Sequence, residues 1–540
     1  MASGIYGLSG SGMDIDSLVK NMMKTQQSKY DNIYKNKVQT EWKKSDYNSI
    51  YKSLNTFRFS TLSNYKLQSN MAARSATAQD TTIATAVANG DAGEMTHDIS
   101  VTKLAQNAYL QSTAITRDNA TAPKSINLPD VINVQYPAGI TDEEKKTKIG
   151  LSFTVNDGSN TAQTISYTYS QLEGKTLNDV ASDINKLNIN ITASYDAVND
   201  TFSLYNKKGG STNTVGIAVN AGSVENPIST EGQANTEKLF TNLKLASYDS
   251  VNKTLGSEIA LTAATPISVT GVSAEAKIDG KIYTADSNKI TAAGVTYTLN
   301  KIGETKVNVT NDVDKIVENV KKFVEDYNKM LDTMNSKISE TRYKDYKPLT
   351  DDEKAAMKED QVKSWEEKAK SGLLNNDTII RGVVYDMRDA LSDSIDGLTG
   401  KYTSAASIGI TTTSYTEKGK IQLDENKLRN ALKEDPDVVY KIFGTTGSDR
   451  DSQGIANRLS AVAQTGMTNI SKEAGISSSD DQSVLGIKID SYESQMKKML
   501  DIMDKRQTQL YKQFNAMETA IASLNSQYSF VNQYTSGSLT

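Results

Sequence analysis

The chain has 540 residues, a formal charge of −5, 37% apolar residues, a mean hydropathy of −0.50 and no cysteine. That length calls for several domains, and the small charge argues against a nucleic-acid binder as a whole. The lack of cysteine excludes disulfides, thiol nucleophiles and cysteine-ligated metals, and no run reaches the ~20 apolar residues of a spanning helix.

Met1 to Met13 has no basic segment followed by an apolar one and no A-x-A site, so any secretion is expected to proceed without signal-peptide cleavage. Gly7, Gly10 and Gly12 superficially look like a phosphate-cradling loop, but a dinucleotide fingerprint needs a strand in front of it. A flexible tail is expected instead, with Asp14 or Asp16 capping the first helix. Met13 to Asn89 contains neither glycine nor proline and carries Ile15, Leu18, Val19, Met22, Tyr30 and Ile33, then Tyr47, Ile50, Leu54 and Phe57 at helical spacing. Between Gln26 and Lys44 the stripe is weak, and loose packing, or packing only on partner subunits, is expected there. Ten Lys and Arg stand against five Asp and Glu from Asp14 to Asn70, interleaved as on a solvated coiled-coil face rather than a phosphate track.

After about Ala72 the composition turns to Thr, Ala, Asn, Ser and Val, with strand alternation at His97 to Leu104. All seven prolines lie between the two termini. Hairpins are expected for Leu151 to Val155 with Thr164 to Tyr169, Ile191 to Tyr195 with Thr201 to Tyr205, and Glu275 to Ile278 with Lys281 to Thr284 across Asp279-Gly280. Leu177, Val180, Ile184 and Leu187 predict a helix over Thr176 to Leu187, making this head α+β.

Helix returns at Val313 to Ser336, followed by a charged insert, Asp351 to Lys370, read as an exposed amphipathic helix. Asn376 to Leu391 is helical, Ile408 to Tyr415 and Lys420 to Leu423 lead into another short helix, and Gly444 to Gln482 reads as a polar connector. From Ser483 to Tyr528 a single stripe runs through Ile489, Tyr492, Met496, Met499, Met503, Leu510, Phe514, Met517, Ile521 and Leu524. A helix this long cannot bury its stripe against itself, so the two ends are expected to pair. The fold class is α+β multidomain: long terminal helices forming a coiled-coil stalk, a mixed helical and β leg, and two β-rich head domains inserted in the middle. The expected division is a tail and stalk helix over 1–45, a leg of 46–72 with 305–470, a head domain of 73–115 with 255–304, an inserted distal head of 116–254, and the C-terminal stalk helix over 471–540.

No catalytic constellation is visible. His97 is the single histidine, and Asp98 beside it points to the opposite face of a strand. One histidine without cysteine cannot build a histidine-ligated metal cluster. Asp351-Asp352-Glu353 and Asp480-Asp481 lack the spaced ligands and turn glycine of a calcium loop and read as solvated helix starts. Nothing singles out a carboxylate pair for glycoside hydrolysis. Met496, Met499 and Met503 are compatible both with an intramolecular coiled-coil core and with an adaptable docking surface. No cofactor is expected.

Several stretches resemble the hook-associated protein 2 family of flagellar filament caps. They are Gly4-Ile-Tyr-Gly-Leu-Ser-Gly-Ser-Gly-Met-Asp-Ile-Asp-Ser-Leu-Val19, Val101 to Gln106, Ile278-Asp-Gly280 through Leu299, and Asp312 to Leu331 with Phe323-Val-Glu-Asp-Tyr-Asn328. Lys347 to Leu373 looks like the insert of Gram-positive members, Gly419 to Glu425 and Val438 to Phe443 resemble the C-terminal motif, and Thr192 to Leu204 is similar to a short motif of flagellins and hook proteins. The resemblance implies a non-enzymatic cap at the distal filament tip, secreted through the flagellar export channel, that forms a homo-oligomer and helps exported flagellin fold and insert beneath it. It implies flagellin, the hook-filament junction protein and an export chaperone as partners, with neither nucleic acid nor membrane insertion. Leu18, Val19, Met22, Ile489, Met496, Met499, Met503, Leu510 and Phe514 are the expected oligomer or filament docking residues. The rival readings are another axial subunit, a flagellin or junction protein, and a surface adhesin whose tyrosine-rich head binds host glycans.

Overall fold

The N-terminal helix, Ile15–Thr56, opens on a side-chain cap in which the Asp14 carboxylate accepts from the Ser17 amide at 3.0 Å. The structure is a computed structural model and describes residues 14–119, 124–159, 161–413, 415–476 and 481–536; the glycine-rich opening and its expected flexible tail lie outside them. Contacts divide the chain into two units, Met1–Ala72 with Val313–Thr540, and Ala73–Asp312.

In the first unit, the N-terminal helix runs unbroken across the expected boundary at 45, because nothing between Gln26 and Thr56 stops it. It then passes through a π-helical turn, Phe57–Thr61. Its second half packs with the helices Val313–Ser339 and Ile455–Ala474, and the helix Thr378–Ser392 packs on those same two. The core holds Tyr47, Ile50 and Leu54 against Phe323, Tyr327, Val383, Leu459 and Met467, all buried. A Cβ on Gly466 would meet Val383 at 2.7 Å and Leu54 at 3.4 Å, so this position lets three helices approach closely. The Ile455–Ala474 helix corrects the reading of 444–482 as a connector. Its buried stripe mixes Ile455, Leu459, Met467 and Ile470 with the small residues Ala456, Ser460, Ala463, Gly466 and Ala474, which dilute the hydropathy signal.

The charged insert is two helices, Asp351–Ala355 and Glu359–Lys370, rather than one exposed helix. It packs on the N-terminal helix where loose packing was expected. Lys35 pairs with Glu353 at 2.6 Å, and the Lys370 ammonium lies 4.8 Å from the Trp42 ring centroid. The partners are charged and aromatic, which is why an apolar stripe is weak there.

In the second unit a five-stranded sheet runs in the order Arg74–Ala78, Gly303–Asn311, Thr96–Lys103, Ala274–Ile278, Lys281–Ala285. It shares a core of Ile99, Val101, Ile278, Val295, Tyr297 and Val307 with a three-stranded sheet. The expected hairpins form: Ile278 faces Lys281 across Asp279 and Gly280, at φ 49° and 84°, the geometry of a primed turn. Thr176 and Asp179 make a capping box for the helix Leu177–Asn185.

Three expected boundaries shift. Gly303–Asn311 pairs with two head strands, so the leg does not begin at 305. Asn107–Ser112 pairs with Thr201–Gly209, placing it in the distal sheet before residue 116. Thr254–Glu258 and Ile267–Thr270 pair with distal strands beyond the expected limit of 254. Strand alternation marks a strand without naming its sheet. His97 is fully buried, and its Nδ1 lies 2.6 Å from Asp279 rather than Asp98.

Candidate functional site: the paired terminal helices

The C-terminal helix spans Val484–Ser536, 53 residues and roughly 80 Å. It lies antiparallel to the N-terminal helix, since contacts advance along one as they recede along the other. Tyr511 Oη donates to Asp16 at 2.9 Å, Lys37 pairs with Glu493 at 3.0 Å, and Lys44 pairs with Asp481. The greasy part of the seam is short. Val19 and Met23, one turn apart, close on Leu510, with Ile15, Met503, Tyr511 and Phe514 packed around them.

The expected docking residues divide in two. Val19 and Leu510 are buried in the seam, and Ile489, Met496, Met499, Met503 and Phe514 are half-buried along it. Leu18 and Met22 turn outward, 39% and 53% exposed. The seam residue missed in the sequence is Met23. The series Ile15, Val19, Met23, stepping by four, would have found it, whereas Leu18 and Met22 belong to the adjoining face.

Electrostatics hold the rest of the pairing. The hydrogen bond that Lys37 donates to Glu493 raises the Lys37 pKa, and the bond to Asp16 raises that of Tyr511. Burial pushes the Asp481 carboxyl up, but the Lys44 ion pair and the Ser483 donors outweigh it and hold the group below its ordinary range. No group of three or more His, Asp or Glu among the described residues is arranged to hold a metal ion, and none of the described helices is long and apolar enough to cross a membrane.

Past Phe514 the C-terminal helix continues its stripe with no facing turn of the N-terminal helix among the described residues. Met517, Leu524 and Tyr528 are 38%, 63% and 68% exposed. Among the described residues the seam closes within the chain as far as Phe514, and the stripe beyond it is exposed.

Residues 11–108 match the family described as Flagellar hook-associated protein 2 N-terminus, and residues 271–526 match Flagellar hook-associated protein 2 C-terminus. The chain belongs to the flagellar hook-associated protein 2 family. A hook-associated protein 2 from Halalkalibacterium halodurans is 26% identical over 554 residues, covering 97% of this chain and 98% of the relative. One from Thermotoga maritima is 28% identical over 266 residues, covering 47% of this chain and 39% of that one. The fold is like that of the D1-D2-D3 domains of the flagellar cap protein FliD from Escherichia coli, with a TM-score of 0.50 at 20% identity, over 83% of this chain and 99% of that one. Both family matches include parts of the seam, since Val19 and Met23 fall in the first and Leu510 in the second.

Proposed function

We propose that the protein is a structural subunit of the cap at the distal end of the bacterial flagellar filament, with no catalytic step of its own. Copies associate, and the paired terminal helices dock where exported flagellin folds and inserts. The observation that carries this reading is the open continuation of the seam. Met517, Leu524 and Tyr528 keep the spacing of Leu510 and Phe514 but are exposed, as are Leu18 and Met22 on the neighbouring helix. Such a row is an apolar face that association with another chain would cover. The half-buried methionines, Met496, Met499 and Met503, suit a surface that adapts to more than one partner. In this reading the partners are further copies of the chain, flagellin, the hook-filament junction protein and an export chaperone, and the protein acts outside the cell after flagellar export. Neither rival, another axial subunit or a glycan-binding adhesin, has an observation of its own in its favour.

The test is electron microscopy of filaments grown with labelled protein, together with flagellin in the medium. Label confined to tips, and flagellin leakage on Leu524→Asp combined with Tyr528→Asp, are expected. Label along the filament or at its base, or full capping by that variant, would overturn the reading.

A further inference from the structure

The π-helical turn Phe57–Thr61 ends the N-terminal helix and places Arg58 against Phe59, with the guanidinium carbon 4.3 Å from the ring centroid. Arg58 Nε is buried and has no hydrogen-bond acceptor. The stacked ring limits the rotamers of the side chain, so the guanidinium is held before anything binds it. Arg58 borders a groove of about 540 Å³ lined by Thr446, Gln453, Asn457, Ser460 and Gln464, hydroxyls and amides without a carboxylate. Lys66 is a second half-buried cation. Burial lowers its pKa and the Arg58 charge lowers it further. Neither cation has a carboxylate partner among the described residues, although sequestering an unpaired positive charge is costly. Phe59, 58% exposed, completes an apolar and cationic patch.

A complementary patch lies on the same unit. The helix Thr378–Ser392 turns Tyr385 outward, 66% exposed, beside the exposed Asp386, which has no ion-pair partner among the described residues. A Cβ built on Gly382, one turn earlier, meets nothing within 4 Å, so the surface there is open. The two patches share a level of the bundle, because Gly466 touches Leu54, one turn before Arg58, and Val383, two residues before Tyr385. They also sit at opposite corners. The N-terminal helix and the Thr378–Ser392 helix each pack on both Ile455–Ala474 and Val313–Ser339. Complementary patches at one level on opposite flanks are what a head-to-tail contact between identical subunits requires.

We propose that Arg58, Lys66 and Phe59 of one copy receive Asp386 and Tyr385 of the next, a charged and aromatic contact that fixes neighbouring subunits side by side. The contact rests on the reading of the protein as an oligomeric cap, and the occupant is a second copy. Its test is sedimentation of the full-length chain at low and high salt, with circular dichroism to confirm folding. Arg58→Glu and Asp386→Lys should each weaken self-association about tenfold at low salt, and the double variant should regain most of the loss. If either single variant fails to fold, Arg58→Gln and Asp386→Asn are read in its place and should each weaken association. If the wild type associates and both single variants match it, the cap reading stands and this contact is overturned. Weakening by the Arg58 change alone, or a double variant no better than the singles, overturns Asp386 as the acceptor. A wild type that does not associate at all overturns both.

Discussion

The phenol of Tyr511 donates a 2.9 Å hydrogen bond to the carboxylate of Asp16, joining positions 495 apart in the chain. The bond is exposed, so its removal should cost little. Tyr511→Phe is expected to lose under about 1 kcal/mol of local stability. Hydrogen exchange at the start of the N-terminal helix should quicken slightly while the rest of the seam stays protected. Loss of protection as far as Lys37 would mean that the bond is holding far more than its exposure allows.

Leu510 and Met517 stand two turns apart on one stripe, but only Leu510 is buried. Leu510→Asp puts a charge against Val19 and Met23 and should open the seam locally, at about 3 kcal/mol or more. Met517→Asp should leave the isolated chain unchanged and act only in the assembled cap. Equal exchange rates near Val19 in the two variants would refute the boundary drawn at Phe514.

Acid should loosen the N-terminal helix. The pKa of Asp481 is depressed, and so is that of Glu353, where burial raises it but Lys35 and the Thr350 amide outweigh the effect. A carboxylate held down in the folded chain contributes stability above its ordinary range, near 4, and loses it as pH falls through the lowered value. Lys37, raised, contributes below about 10.4 and is lost only in stronger alkali. Protease access at Gln26 to Lys44 should therefore be flat between about pH 6 and 9 and rise below about pH 4. A rise near neutrality would contradict this assignment.

Arg458 is 1% exposed and donates to four backbone carbonyls, those of Asp393, Ser394, Arg450 and Asp451, at 2.6–3.0 Å. Arg458→Met strips the donor from all four and should cost about 3 kcal/mol or more. Arg458→Lys cannot span the same fork and should also lower the denaturant midpoint. A midpoint equal to wild type in both would show that these loops need no tie.

The seam was legible in the sequence because burying one face of a helix leaves a periodic mark. Ile489, Met496, Met499, Met503, Leu510 and Phe514 are buried or half-buried, whereas in the N-terminal helix the buried methionine is Met23 rather than the expected Met22. The polar half of the pairing was not legible. Lys37 with Glu493, and Lys44 with Asp481, are ordinary solvated charges until the fold brings them together. The insert shows the same limit. Trp365 and Glu353 mark an amphipathic segment, but that segment's docking on the N-terminal helix depends on pairs such as Lys370 over Trp42, which leave no period behind. Arg58 reads as one more lysine-like surface charge, and only coordinates reveal that its Nε has no acceptor.

The strand that opens the second unit and the strand that closes it lie side by side, Arg74 opposite Asn311 and Ala78 opposite Val307. A chain that departs and returns through one ladder hides the size of its excursion from the rest of the molecule. Everything beyond those rungs can lengthen, shrink or be exchanged for an unrelated module at little entropic expense to the helices. Diversity between lineages is thus expected to accumulate inside that detour, while the two terminal helices keep their length.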